Sequence, residues 1–204
     1  SFNGTSDYVQ VANNSTLNPN TDSFTVSAWV KLNAYPATDD YPCVVCKHSG
    51  DFDNGYDISV SPSGVVNVLF DTLNGPVYQV SSSQSLSLNT WYYLTGVLDR
   101  SSNKVKLYIN SSFVSETAGP GNTTINPTND LFIGKYLRSQ GWEYLNGLID
   151  DVRIYNYSRS LDQIREDMYN GGVFTASAWN GTKGSTLFFR ANGTLTNNGL
   201  INLS

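Results

Sequence analysis

The stretch GLIDDVRIYNYSRSLDQI, residues 147 to 164, decides how the rest of the chain is read, because its hydrophobic period changes halfway along. Leu148 to Tyr155 alternate as a strand does. From Ser160 to Met168 the apolar residues Leu161, Ile164 and Met168 fall at helical spacing, which predicts one short amphipathic helix directly after the strand. Two adjacent aspartates, Asp150 and Asp151, sit inside that strand. Side chains alternate across a strand, so one of the two faces inward unless a bulge or a cation intervenes.

Outward from this stretch the pattern is short strands divided by turn signals. Strands are predicted at Tyr8 to Val11, Phe24 to Val30, Val44 to Lys47, Tyr56 to Val60, Val65 to Phe70 and Val77 to Val80. Further ones follow at Trp91 to Leu98, Val105 to Ile109, Phe113 to Thr117 and Leu131 to Gly134. In SFTVSAWV, Phe24, Val26, Ala28 and Val30 share one face, and Thr25, Ser27 and Trp29 the other. Clusters of Pro, Gly and Asn at 61–64, 74–76 and 119–129 mark turns. With no βαβ rhythm, the set reads as an antiparallel sandwich or jelly roll.

At 204 residues the chain is long enough for one substantial all-β domain. Only 14% of residues are charged and the net charge is −5, which excludes a basic nucleic-acid footprint. Tyr, Asn, Ser, Thr and Gly carry the polarity, as in turn-rich extracellular proteins. No apolar run approaches the ~20 residues of a membrane helix. A strand begins almost at once with Phe2, which reads as a mature form whose export signal, if it had one, is gone. Asn-X-Ser/Thr occurs at Asn3, Asn13, Asn14, Asn110, Asn122, Asn156, Asn180, Asn192 and Asn202. Nine such sequons exceed the roughly four or five that an Asn- and Thr-rich chain gives by chance, and they favour export to the cell surface and glycosylation.

Taken in order, FNGTSDYVQV, SFTVSAWVKL, NTWYYLTGVLD, KVKLYIN, DLFIGKY and GLIDDVRIYNYSRSLDQI resemble the laminin-G-like, concanavalin A-like jelly-roll family of lectins and glucanases. The resemblance covers residues 1 to 172. It implies an all-β jelly-roll sandwich whose last strand is followed by a short helix packed over one end, so Leu161, Ile164 and Met168 are expected in the core. Family members commonly hold a structural calcium near the first and last strands. Carried over, this implicates Asp150 or Asp151, with Asn3, Asp7 and the carbonyl of Gly4; a hard cation takes such oxygens, 6 to 8 of them at ~2.3–2.6 Å. Asparagine at position 3, where the family usually has aspartate, weakens that set. The alternative is that Asp151 pairs with Arg153 or Arg159.

GDFDNGYD places Asp51, Asp53, Asn54 and Asp57 around Gly55 like a small calcium loop, but without the distal glutamate of an EF-hand it reads as a solvated hairpin loop. Cys43 and Cys46 form C-x-x-C with His48, the single histidine, two residues on. A zinc reading lacks a fourth ligand and a second cysteine pair. In a regular strand the two Cα atoms lie ~10 Å apart, beyond the ~7 Å a disulfide spans. A bend after Pro42 would close the bond; otherwise both thiols are buried and free.

Catalysis is not expected. Glycoside hydrolysis needs a facing pair of carboxylates, and the glutamates Glu116, Glu143 and Glu166 lie in unrelated segments. Two non-catalytic readings remain. For sugar binding, KYLRSQGWEYLN reads as a loop that supplies Tyr136, Arg138, Gln140, Trp142, Glu143 and Tyr144, with Asp39, Asp40 and Tyr41 in a second loop. For a structural or adhesive surface protein, residues 173 to 204 form a β-prone extension whose segments STLFFRA and GLINLS present Leu187, Phe189, Ile201 and Leu203 on one face. Such a strand either covers an edge of its own sheet or, added to a sheet edge of another copy, links subunits into a homo-oligomer or filament.

Overall fold

A computed structural model describes residues 1–37, 41–49, 53–138 and 141–170. Two six-stranded antiparallel sheets face one another. The first runs β1 (Phe2–Asn3), β14 (Asn146–Tyr155), β3 (Phe24–Leu32), β8 (Trp91–Asp99), β9 (Lys104–Ile109), β10 (Ser112–Ala118). The second runs β2 (Val9–Val11), β11 (Leu131–Ile133), β4 (Cys43–Ser49), β5 (Asp53–Val60), β6 (Val65–Asp71), β7 (Val77–Ser85). A separate hairpin joins β12 (Lys135–Arg138) to β13 (Gly141–Tyr144), and α1 (Leu161–Asn170) follows the last strand.

The alternation in β3 carries Phe24, Val26, Ala28, Val30 and Leu32 into the space between the sheets, where they meet Tyr56, Ile58, Val68 and Phe70 of the second. The approach is close. A Cβ on Gly96 would stand 2.6 Å from a Val68 methyl, so the sheets touch where the first sheet has no side chain.

Each sheet is also covered on its outer face. Ile164 and Met168 of α1 pack on Trp29, Tyr93, Val97 and Tyr108 of the first, as the amphipathic spacing of the helix requires. On the second sheet Tyr136 of the hairpin packs with Cys43, Cys46 and Phe132. The segment expected as a sugar-binding loop is thus an antiparallel hairpin with Tyr136 opposite Glu143. Likewise Asp53 opens β5, so GDFDNGYD is in large part strand rather than turn.

Two of the register shifts bear on residues singled out in the sequence. In β14, Asp150 pairs with Trp29 and Arg153 with Ser27, leaving Asp151 and Val152 against Ala28 alone. Asp151 adopts a φ of +49° there. In β4, Cys43 pairs with Ser59 and Val45 with Ile58, so Val44 is the extra residue. Residues three apart in a regular strand face opposite ways; one inserted residue turns Cys43 and Cys46 to the same side.

Candidate functional site: a polar cleft on the second sheet

Ladder register builds the site. Tyr56, Ile58, Val66, Val68 and Phe70 point into the core, so their neighbours point outward. Across the outer face, Cys46 pairs with Asp57, Asp57 with Leu69, and Leu69 with Gln79. The parallel row runs from Cys43 through Ser59 and Asn67 to Ser81. Asn67 Oδ1 accepts from Gln79 Nε2 at 3.1 Å and from Ser81 Oγ at 2.7 Å. Tyr41, Asp57, Ser59, Asn67, Leu69, Gln79 and Tyr136 enclose a cleft of about 290 Å³. Glu143 Oε2 accepts from the Tyr41 backbone N–H at 2.7 Å, which ties the 41–49 segment to the hairpin.

Behind the cleft the face is dry. The Tyr136 ring lies 4.8 Å from the His48 ring. Asp57 is 3% exposed; its Oδ2 is 3.3 Å from His48 Nε2, and its Oδ1 has no hydrogen-bond partner among the described residues. A buried carboxylate oxygen left unpaired is costly in a packed interior. Burial pushes the Cys43 and Cys46 thiols up from their ordinary range, and Cys46 Sγ–H donates to the Lys135 carbonyl at 3.2 Å.

The residues expected for sugar binding divide. Tyr136 lines the cleft and Glu143 stands at its margin, both buried. Tyr144 packs against Tyr8, with ring centres 6.4 Å apart, away from the cleft lining. Gln140 lies outside the described residues, and of the hairpin's Arg138 and Trp142 only the backbone is described. Asp57, Ser59, Asn67 and Gln79, the polar lining of the cleft, escape sequence reading. Their one signal is polar side chains at every second position of adjacent strands that are otherwise apolar.

Of the residues implicated in calcium binding, Asn3, Asp150 and Asp151 accept hydrogen bonds from protein groups. Asn3 Oδ1 accepts from the backbone N–H groups of Thr5 and Ser6, each at 2.9 Å, and of Asp7 at 3.2 Å. The Asp151 carboxylate takes Arg153 Nε at 2.9 Å and Nη2 at 2.6 Å, and Asp150 Oδ1 takes the Asp151 N–H at 2.8 Å. Asn3 sits opposite Asn146, four residues along β14 from Asp150, roughly 13 Å at the strand rise. Gly4 donates its N–H to the Leu145 carbonyl at 3.1 Å. The alternative partner expected for Asp151, Arg153, is thus in place, with the carboxylate bound to its guanidinium.

Arg153 also donates to Asp167 at 3.0 Å. Arg159 holds Asp167 through Nε at 2.9 Å and through Nη2, and the Tyr155 hydroxyl donates to Asp167 at 2.9 Å. Burial works against the charge on Arg153, but its hydrogen bonds to Asp151 and Tyr155 and the Asp151 charge hold the guanidinium above its ordinary pKa.

Asn54 of the acidic cluster bonds twice to Asn126 of the neighbouring loop. Asn3, Asn13, Asn14, Asn110, Asn122 and Asn156 are all solvent-exposed, while Asn180, Asn192 and Asn202 lie outside the described residues. So do Leu187, Phe189, Ile201 and Leu203, on which the assembly reading rests.

A family model described as the concanavalin A-like lectin/glucanases superfamily matches residues 3–165. A heptameric SAP-like pentraxin from Limulus polyphemus superposes with a TM-score of 0.60 at 16% identity, over 85% of this chain and 82% of the pentraxin. A candidate carbohydrate-binding protein from Bacteroides ovatus gives 0.63 at 19% identity, over 86% of this chain and 48% of that one. The binding domain of botulinum neurotoxin DC in complex with SialylT gives 0.63 at 16% identity, over 84% and 42%. The chain thus spans less than half of the last two. A comparison with curated proteins gave no match.

Proposed function

Because the chain belongs to the concanavalin A-like lectin/glucanases superfamily, we propose that it is a non-catalytic carbohydrate-binding module that takes its ligand in the outer-face cleft of the second sheet. The observation that carries this is the composition of the cleft. Tyr41 and Tyr136 flank a floor in which Leu69 is surrounded by an amide pair, a hydroxyl and a carboxylate. A sugar presents apolar C–H faces and directional hydroxyls together, and such a lining matches both. Of the lining residues Asp57 alone is a carboxylate, and hydrolysis of a glycosidic bond needs two. The description of the Bacteroides ovatus relative agrees with the reading. The exposure of the six described sequons agrees with an exported, glycosylated chain displayed outside the cell.

A glycan array followed by titration tests the proposal. Asn67→Ala and Gln79→Ala each remove hydrogen bonds of about 1 kcal/mol and are expected to weaken binding roughly fivefold to tenfold. Binding that survives both changes would move the site elsewhere, and an array with no bound glycan would end the carbohydrate reading.

A further inference from the structure

Three groups that ligate soft and borderline metals converge beneath the hairpin, outside the lining of the cleft. The Sγ atoms of Cys43 and Cys46 and a ring nitrogen of His48 lie within 4.8 Å of one another, and all three residues are buried. Strand alternation puts Cys46 and His48 on one face, and the Val44 bulge adds Cys43 to it. A second observation points to a missing occupant: the Asp57 carboxylate, 3.3 Å from His48 Nε2, has an oxygen buried without a hydrogen-bond partner among the described residues.

We propose that Cys43, Cys46 and His48 form a binding site for a zinc-class divalent cation, with the Asp57 carboxylate beside the imidazole to orient it. Two thiolates and an imidazole are the donor set that zinc prefers over calcium or magnesium. Bonds of ~2.3 Å to sulfur and ~2.0 Å to nitrogen place tetrahedral ligands roughly 3.5–3.8 Å apart, so the three groups need to close by at most roughly 1.3 Å. A carboxylate hydrogen-bonded to the far nitrogen is the usual partner of a metal-bound histidine, fixing its tautomer and ring plane. On binding, both thiol protons leave to solvent and the sulfurs bind as thiolates. The positive ion replaces the solvent that burial denies them. Three protein ligands leave the fourth position to a water molecule.

A disulfide is the competing fate of the pair. The bulge brings the sulfurs to one face but leaves the backbone extended between them, and both cysteines are free. The inference stands apart from glycan binding, because metal content and sugar affinity are read separately.

The test is metal analysis of the full chain after exposure to zinc and exhaustive dialysis, with cobalt(II) as the spectroscopic probe. The expected result is one zinc per chain and a thiolate-to-cobalt charge-transfer band, both lost in Cys46→Ser. That variant disturbs a buried position, so Asp57→Asn, which leaves all three ligands in place, provides the second arm. It is expected to weaken cobalt affinity about 10- to 100-fold while circular dichroism stays that of the wild type. A folded wild-type protein that retains no zinc and gives no cobalt band overturns the proposal. An intact mass lacking the two thiol hydrogens overturns it in favour of a disulfide. Unchanged affinity in Asp57→Asn overturns the role given to Asp57.

Discussion

Beneath α1, Asp167 receives hydrogen bonds from Arg153, Arg159 and Tyr155, and the surrounding side chains close over it. Beneath the β12–β13 hairpin, the equally buried Asp57 has one neighbour of opposite potential charge, His48, and an oxygen with no partner among the described residues. Both covers lie on the outer face of a sheet and both bury a carboxylate; only the first balances it. Charge that is fully countered holds a structure in one arrangement, whereas charge left partly uncompensated is held in place by the surrounding fold and is available to something that binds. This contrast, more than the presence of a cavity, distinguishes the two outer faces of the sandwich.

The contrast can be broken most directly at Asp167. Asp167→Ala leaves Arg159 without a carboxylate and Arg153 with Asp151 alone, and is expected to cost roughly 3–5 kcal/mol, a fall in Tm on the order of 10 °C. Urea unfolding that shows a loss under 1 kcal/mol would remove Asp167 as the structural pole of the comparison.

Lys47 offers a second buried charge for the same question. It points from β4 into the sandwich, where Nζ donates to Asn13 Oδ1 at 2.8 Å and to the Pro127 carbonyl at 2.9 Å. Burial pulls its pKa down to about 8, against the smaller opposing pull of Asp130. Below about pH 8 the lysine is charged in both folded and unfolded chains, and the penalty for burying it is present in full. Between pH 8 and its ordinary value of 10.5 the unfolded chain holds more protons, so stability rises with pH. Relative to Lys47→Met, the wild type should gain at most about 3 kcal/mol across that interval. A difference that stays level with pH would show that the two hydrogen bonds already compensate the charge.

Asp57→Asn sharpens the comparison from the other side. With one carboxylate oxygen lacking a partner among the described residues, Asp57 should contribute little to folding. In metal-free protein the substitution is expected to move stability by less than about 1 kcal/mol while sugar binding falls. A loss approaching that of Asp167→Ala would make the second sheet as structural as the first. The smallest effect is expected of a calcium chelator. With Asp151 held by Arg153 and Asn3 capping its own turn, melting curves with and without it should coincide. A drop of several degrees would show that those side chains rearrange around an ion.

Much of this was legible in the sequence where the signal is periodic. SFTVSAWV declared its buried face, and the spacing of Leu161, Ile164 and Met168 announced a helix that does pack by Ile164. What escaped depends on pairing. KYLRSQGWEYLN carries Gly141 in its middle and reads as a loop, yet Tyr136 and Glu143 meet across a ladder that only the fold supplies. The bulges at Val44 and Asp151 reverse the parity of everything beyond them, and no composition marks them because each is set by the strand alongside. Parity alone therefore sends Cys43 and Cys46 to opposite faces, and the cleft and its cysteine–histidine neighbour disappear from a linear reading.

The placement of β3 also has a consequence in time. This central strand, complete by Leu32, finds its two neighbours only at Trp91–Asp99 and Asn146–Tyr155. At ~5–20 residues per second a ribosome needs roughly ten seconds between delivering β3 and delivering its last partner. Throughout that interval β3 has an edge open to any extended segment nearby. Antiparallel sandwiches closed by such distant partners fold over roughly milliseconds to seconds once released, and open edges aggregate at micromolar concentration. Recovery of this protein from denaturant should accordingly depend more steeply on dilution than on temperature.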